Sequence, residues 1–211
     1  MDEQLEIIYD GVVNGEQKTV TAAVQAALNA GIDPATILNQ SMIAAMSEVG
    51  RLFEQGEYYV PEMLVAARAM KSGLELLRPA LTAANVQAIG KIVIGTVQGD
   101  LHDIGKNLVA MMMEGAGFEV IDLGVDVSPE KFVDAVKRHQ PNLVGLSALL
   151  TTTMPKMQMT MDALNEAGLR GNVKVMIGGA PVTEQYASKI GADIFSPDAS
   201  AAARRAKEAV A

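Results

Sequence analysis

The chain has 211 residues, 49% of them hydrophobic, with a mean hydropathy of +0.19; this is enough apolar material for one or two domains with real cores and excludes a disordered chain. Its formal charge of −8, with the basic residues scattered, argues against a nucleic-acid surface, because phosphate contacts need clustered Lys and Arg. No apolar run approaches the ~18 residues of a membrane span, the opening Met1-Asp2-Glu3-Gln4-Leu5-Glu6 is acidic where a secretory signal is basic, and there is no cysteine for disulfides or thiolate metal sites, so a cytoplasmic protein is expected.

Residues 1–88 contain no convincing strand. Leu5, Ile7, Ile8, Val12 and Val13 predict a first short helix ending near Asn14-Gly15. Thr19 to Ala30 predicts a second, closed by Gly31. Asp33-Pro34 supplies an N-cap followed by proline at the first helical position. From there Ile37, Leu38, Met42, Ile43, Met46, Val49 and Phe53 recur at helical spacing up to Gly56. Pro61 starts a fourth helix carrying Met63, Leu64, Ala67, Met70, Leu74 and Leu77. Four amphipathic helices with short connections predict an antiparallel bundle. The alanine-rich stretch Pro79 to Ile89 is the expected linker, and residues 89–211 form the second domain. The 13 methionines read mainly as core filler.

Beyond the linker, strand and helix alternate. Lys91 to Val97, Phe118 to Leu123, Leu143 to Ser147, Val173 to Ile177 and Ile194-Phe195 are the five predicted strands. The helices between them run from Asn107 to Glu114, from the Ser128-Pro129 cap onward, from Pro155 to Ala167 and from Thr183 to Lys189, and a last one from Asp198 to Val210. Five βα units predict a parallel sheet covered on both faces with right-handed crossovers, a flavodoxin-like doubly wound (Rossmann-like) α/β domain preceded by the helical bundle.

All carboxyl strand ends of such a sheet lie on one edge, and here they carry small or hydroxylic residues. They are Gly99, Asp100, His102 and Gly105; Gly124-Val125-Asp126; Ser147, Ala148, Leu149 and Thr151-Thr152-Thr153; and Gly178-Gly179-Ala180-Pro181. This describes a slot for an elongated, partly polar molecule. No Gly-x-x-x-x-Gly-Lys-Ser/Thr or Gly-x-Gly-x-x-Gly follows the first strand, and Asp, His and Asp there would repel a phosphate. Asp100, two residues before His102, can accept one imidazole N–H and leave the other nitrogen for a metal. Without further His or Cys nearby, a bare zinc site lacks its ligands; one protein ligand suffices when the metal arrives held in its own macrocycle. His139, at a helix end, fits a partner of the helix dipole. Other roles stay open: Thr153 also fits the N-cap of the helix at Pro155, Ser147 a strand cap, Gly178-Gly179 a tight connection, and Tyr58 and Tyr59 bundle packing.

Asp100-x-His102-x-x-Gly105, then Ser147-x-Leu149, then Gly178-Gly179, resembles the ordered signature of cobalamin-binding domains that hold their cofactor base-off/His-on. Gly56-Glu57-Tyr58-Tyr59-Val60-Pro61-Glu62 is similar to the cap domain of the methyl-carrying members. The likeness covers nearly the whole chain and is greatest to the corrinoid proteins of three-component methyltransferase systems and the cobalamin modules of methionine synthase. It implies His102 as lower axial ligand to cobalt, with Asp100 and Thr153 completing a relay; threonine stands where relatives often have serine. It further implies that Asp103 and Ile104 are cofactor-binding, that Gly105 allows the helix and loop to approach the corrin, that Ser147 and Thr151 contact the nucleotide tail, and that Leu149, Gly178 and Gly179 line its slot. Tyr59, Val60 and Met63 would cover the upper face, with Tyr59 where relatives often have phenylalanine.

The implied function is a non-autonomous methyl carrier in one-carbon metabolism. It would shuttle a methyl group on cobalt from a substrate-specific methyltransferase to an acceptor methyltransferase using a folate or a thiol, with a reductive activation protein as third partner and neither nucleic acid nor membrane involved. The alternatives are a cobalamin-dependent sensor or regulator, the cobalamin module of a carbon-skeleton mutase, and a plain flavodoxin-like binding protein. The stretch Pro79 to Ile89 is the implied hinge of the cap.

Overall fold

The computed structural model describes residues 2–211, which divide into two compact units: 2–88 with 114–117, and 89–113 with 118–211. In the first, α1 (Glu3–Val13) is capped by the Asp2 carboxylate, which accepts from the Gln4 amide at 3.0 Å. α2 (Gln17–Asn29) follows, and α3 (Pro34–Thr36) begins at the expected Asp33 cap, whose carboxylate accepts from the Thr36 amide at 3.0 Å. The expected single helix from Pro34 is then interrupted. Ile37–Ile43 forms a π-helical segment before α4 (Ala44–Glu54) resumes, and the buried Ser41 hydroxyl donates back to the Ile37 carbonyl at 2.5 Å. α2 packs on α1 and α5 (Val60–Ala83), and α4 on the same two. Gly73 permits the close approach of α5, since a Cβ there would stand 2.7 Å from Val20 Cγ1 and 2.9 Å from Met42 Cε.

The linker expectation needs correction. α5 runs through Pro79 and ends at Ala83, so the first residues of the predicted linker are helical. A proline costs a helix one donor and crowds the carbonyl four residues back; here the last turn is anchored beyond it by the buried Leu81. The non-helical connection shortens to residues 84–90, with Asn85 in the left-handed region at φ 55°.

The second unit is a five-stranded, wholly parallel sheet of order β2-β1-β3-β4-β5, with strands β1 (Lys91–Thr96), β2 (Glu119–Asp122), β3 (Leu143–Ser147), β4 (Lys174–Gly178) and β5 (Ile194–Phe195). The doubly wound fold expected from the alternation is present. Between the strands lie α6 (Ile104–Gly115), α7 (Pro129–His139), α8 (Pro155–Glu166) and α9 (Glu184–Ile190), and α10 (Ala199–Val210) follows the last. Ser128, Thr183 and Asp198 cap α7, α9 and α10 by accepting backbone N–H groups, and each such cap is worth about 1 kcal/mol. One sheet face, with Val93, Val144, Leu146, Val175 and Ile177, packs on Phe132 and Val136 of α7, Met157, Met161 and Leu164 of α8, and Ala187 and Ile190 of α9. Because crossovers are right-handed and β1 feeds β2 in the opposite direction from the rest, α6 belongs to the other face. The chain therefore reverses between β1 and β3, which opens a crevice at their carboxyl ends.

Candidate functional site

β1 ends at Thr96, and the turn after it brings Asp100 back beneath the crevice, where the carboxylate is wholly buried. The turn is held by Gly99 (φ 82°), whose amide donates to Asp126 Oδ1 at 2.7 Å, and by the Asp126 amide donating to the Asp100 carbonyl at 3.0 Å. From β3, on the other side of the switch point, the segment 148–154 supplies what Asp100 needs. The Leu149 and Leu150 amides donate to Oδ2 at 2.8 and 3.3 Å, and the Thr153 hydroxyl donates to the same oxygen at 2.7 Å. Oδ1 accepts from the His102 amide at 3.1 Å and stands 2.7 Å from His102 Nδ1.

Burial pushes the Asp100 carboxyl up, but hydrogen bonds from Thr153, His102 and the backbone amides outweigh it and hold the group well below the usual carboxylate range. Asp100 is therefore an acceptor at neutral pH, and the proton between it and His102 resides on Nδ1. The imidazole is half exposed. A half-exposed ring whose Nδ1 is held by a buried carboxylate is an arrangement suited to a metal ligand.

The structure brings the predicted residues of the α/β unit to one edge. Leu101, Ile104, Leu149 and Leu150 are exposed apolar side chains around His102, at 71%, 83%, 43% and 41%. Gly105 lies in the first turn of α6, which starts three residues earlier than expected, and a Cβ there would meet nothing within 4 Å. Asp103 accepts from the Asn107 side chain at 3.0 Å and stays at the surface. Thr151 is exposed and Ser147 half-buried. Thr153 serves Asp100 and does not cap α8, which has no side-chain cap. Gly179 is required by the fold itself: at φ 133° a Cβ would lie 1.9 Å from the Ala148 carbonyl oxygen. Gly178 leaves open space except for the Ser196 carbonyl, 3.2 Å from such a Cβ.

The three candidates of the helical unit differ among themselves. Tyr59 and Val60 are exposed at the start of α5, at 66% and 40%, whereas Met63 is completely buried. Tyr58 donates to the Val13 carbonyl at 3.2 Å, a packing role within the bundle.

Sequence reasoning missed several members of the network. The amides of Leu149 and Leu150 and the Asp126 tie carry no residue-type signal. Lys106, buried in the first turn of α6, pairs with Asp122 at the end of β2 and donates to Asn107 Oδ1 at 2.6 Å. A lysine amid the apolar positions of a helix start is the one signal that could have found it. The Ser196 hydroxyl, beside Gly178, is buried without a hydrogen-bond partner.

These residues fit a macrocycle-held metal. Among the described residues no cluster of three or more His, Cys, Asp or Glu could hold a bare ion. The site instead offers one oriented nitrogen, a ring of exposed apolar side chains and an uncrowded glycine, and the Ser196 hydroxyl awaits a partner.

Comparison with known proteins agrees. Residues 90–206 match a family model described as a B12 binding domain, and residues 4–78 match a second model of the same description. The chain is 44% identical to the trimethylamine corrinoid protein 2 of Methanosarcina acetivorans over 95% of this chain and 94% of that one. It is also 44% identical to the dimethylamine corrinoid protein 1 of the same organism, over 100% and 99%. Among solved structures, the methanol:cobalamin methyltransferase complex of Methanosarcina barkeri superposes with a TM-score of 0.89 at 31% identity, over 99% of this chain and 80% of that one. The chain belongs to the B12-binding family, among the corrinoid proteins of methyltransferase systems.

Proposed function

We propose that the protein is a methyl carrier, holding cobalamin base-off/His-on through His102 and serving two methyltransferases in turn. Bound there, the corrinoid supplies a cobalt that accepts a methyl group and gives it up again. The observation that carries the proposal is the Asp100–His102 pair, with Oδ1 and Nδ1 2.7 Å apart, the carboxylate fully buried and the imidazole half exposed. Asp100 keeps the imidazole in the metal-binding tautomer, and Thr153 with the Leu149 and Leu150 amides keeps Asp100 charged. Leu101, Ile104 and Leu149 offer an apolar bed for the corrin rim and exclude water from beneath it. Ser147, Thr151 and the two glycines line the course of the nucleotide tail. Of the three candidates on the helical unit, Tyr59 and Val60 are exposed and available to a cofactor, whereas Met63 is buried.

The relatives support the choice of partners. Matching proteins are trimethylamine and dimethylamine corrinoid proteins and a methanol:cobalamin methyltransferase complex, which supports a substrate-specific methyltransferase as the donor partner that selects the methyl source. A folate- or thiol-dependent methyltransferase is the acceptor partner, with a reductive activator restoring oxidised cofactor; all three are expected in the cytoplasm. The same relatives, matching along the full chain, do not favour a cobalamin-dependent sensor.

Reconstitution with methylcobalamin tests the proposal. The wild-type protein is expected to show the His-on visible spectrum, and His102→Ala to lose it together with tight retention. An unchanged spectrum in the variant would refute axial ligation by His102.

A further inference from the structure

Beyond the Asp100 network, four neighbouring strand ends lie side by side. Thr96 pairs with Ser147, and Ser147 with Gly178. One residue past the Ile177–Phe195 pair, Ser196 comes beside Gly178, with its amide donating to the Ile177 carbonyl at 3.2 Å. Residues paired in register on a parallel sheet turn their side chains to the same face, so these four form one row of roughly 14 Å at the usual strand spacing. The row begins under the ligand residue, because the Thr96 hydroxyl donates to the His102 carbonyl at 2.9 Å. Gly178 interrupts the hydroxyls with a residue that has no side chain, and the space over it is open apart from the Ser196 carbonyl.

Ser196 closes the row. It is 6% exposed, and its hydroxyl has no hydrogen-bond partner, unlike that of Thr96. A buried hydroxyl without a partner forfeits the hydrogen bonds it makes to water in the unfolded chain, so the fold gains nothing from serine over alanine there. A partner for it has to come from a bound molecule, and beside it the absent side chain of Gly178 leaves room, met only by the Ser196 carbonyl.

We propose that Ser196 is a specificity-determining contact for the nucleotide tail of the corrinoid, its hydroxyl hydrogen-bonding a neutral polar atom of that tail. The proposal rests on the carrier function above and adds a residue to the tail's end of the site. It separates Ser196 from the residues around His102, which hold the corrin ring whether or not a tail is attached.

The experiment compares equilibrium binding of cobalamin and of cobinamide, the same corrin without its nucleotide tail, to wild type, Ser196→Ala and Ser196→Val, and follows thermal unfolding of each protein without corrinoid. Ser196→Ala is expected to weaken cobalamin binding about 3- to 10-fold, the span of one neutral hydrogen bond. It should leave cobinamide binding unchanged and the unfolding temperature of the corrinoid-free protein no lower. Ser196→Val, which also adds bulk, is expected to weaken cobalamin about 10-fold or more with cobinamide again unaffected. Equal weakening of both ligands, or unchanged cobalamin affinity in Ser196→Ala, overturns the contact while leaving the carrier function standing. Wild type that binds neither corrinoid overturns the carrier function, and the contact falls with it.

Discussion

In the helical unit every buried described residue but Ser41 is apolar or glycine, and Ser41 merely donates back to its own helix. In the α/β unit burial extends to Thr96, Asp100, Lys106, Thr153, Thr160, Ser196 and Ser200. Buried polar groups cost stability unless they are partnered, and most of these gather at the carboxyl edge of the sheet, where the Asp100 carboxylate alone accepts five hydrogen bonds. The first unit is thus organised by packing and the second by packing plus a fixed polar network. The contrast separates the part of the chain that has to be shaped from the part that has to be chemically exact.

Substitutions can break that division, and the largest effect is expected where packing alone is at stake. Met63→Ala should destabilise the protein by about 2–5 kcal/mol, as for other buried methionines, while leaving the corrinoid spectrum of the folded variant as in wild type. Chemical denaturation and a visible spectrum on one preparation check both halves, and a changed spectrum would return Met63 to the binding surface.

Asp100→Asn sharpens the contrast from the other side. The amide is nearly isosteric, but its Nδ2 would donate to His102 Nδ1 and shift the ring proton to Nε2, the wrong tautomer for ligation. Cobalamin affinity is expected to fall about 10- to 100-fold with a base-off spectrum. The pH dependence has a definite sign. The folded-state pKa of Asp100 is depressed, so its contribution to stability is complete above the ordinary carboxylate value of about 3.9 and disappears as pH falls through the folded value. Acid unfolding of the corrinoid-free protein should be less steep in Asp100→Asn; an identical acid limb would mean that the carboxylate is not preferentially stabilised by folding. The smallest effect belongs to the exposed Tyr59: Tyr59→Ala should change stability by less than about 0.5 kcal/mol, and a larger loss in denaturant titration would assign it to the bundle.

Much of this was legible in the amino-acid order because it is local. β3 and β5 are short apolar runs bounded by turn residues, and the caps at Asp33, Ser128 and Asp198 announce their helices. Asp100 and His102 are two positions apart, so their pairing follows from spacing. Less visible is whatever depends on the fold closing. Lys106 and Asp122 are joined across a helix and a strand, and every residue carries an amide like those of Leu149 and Leu150. The π-helical segment escapes because seven residues of apolar spacing suit a wide helix as well as an α-helix. Pro79 reads as a stop, and it fails as one because Leu81 is buried beyond it.

The distance along the chain between Asp100 and Thr153 has a consequence for biosynthesis. The carboxylate that sets the imidazole is itself held by a hydroxyl 53 residues further on. Domains form as synthesis proceeds from the N-terminus, so until β3 and its following loop have left the ribosome, the Asp100–His102 pair lacks the Thr153 hydroxyl and the Leu149 and Leu150 amides that hold the carboxylate, and a chain truncated before β3 would keep both residues without that support.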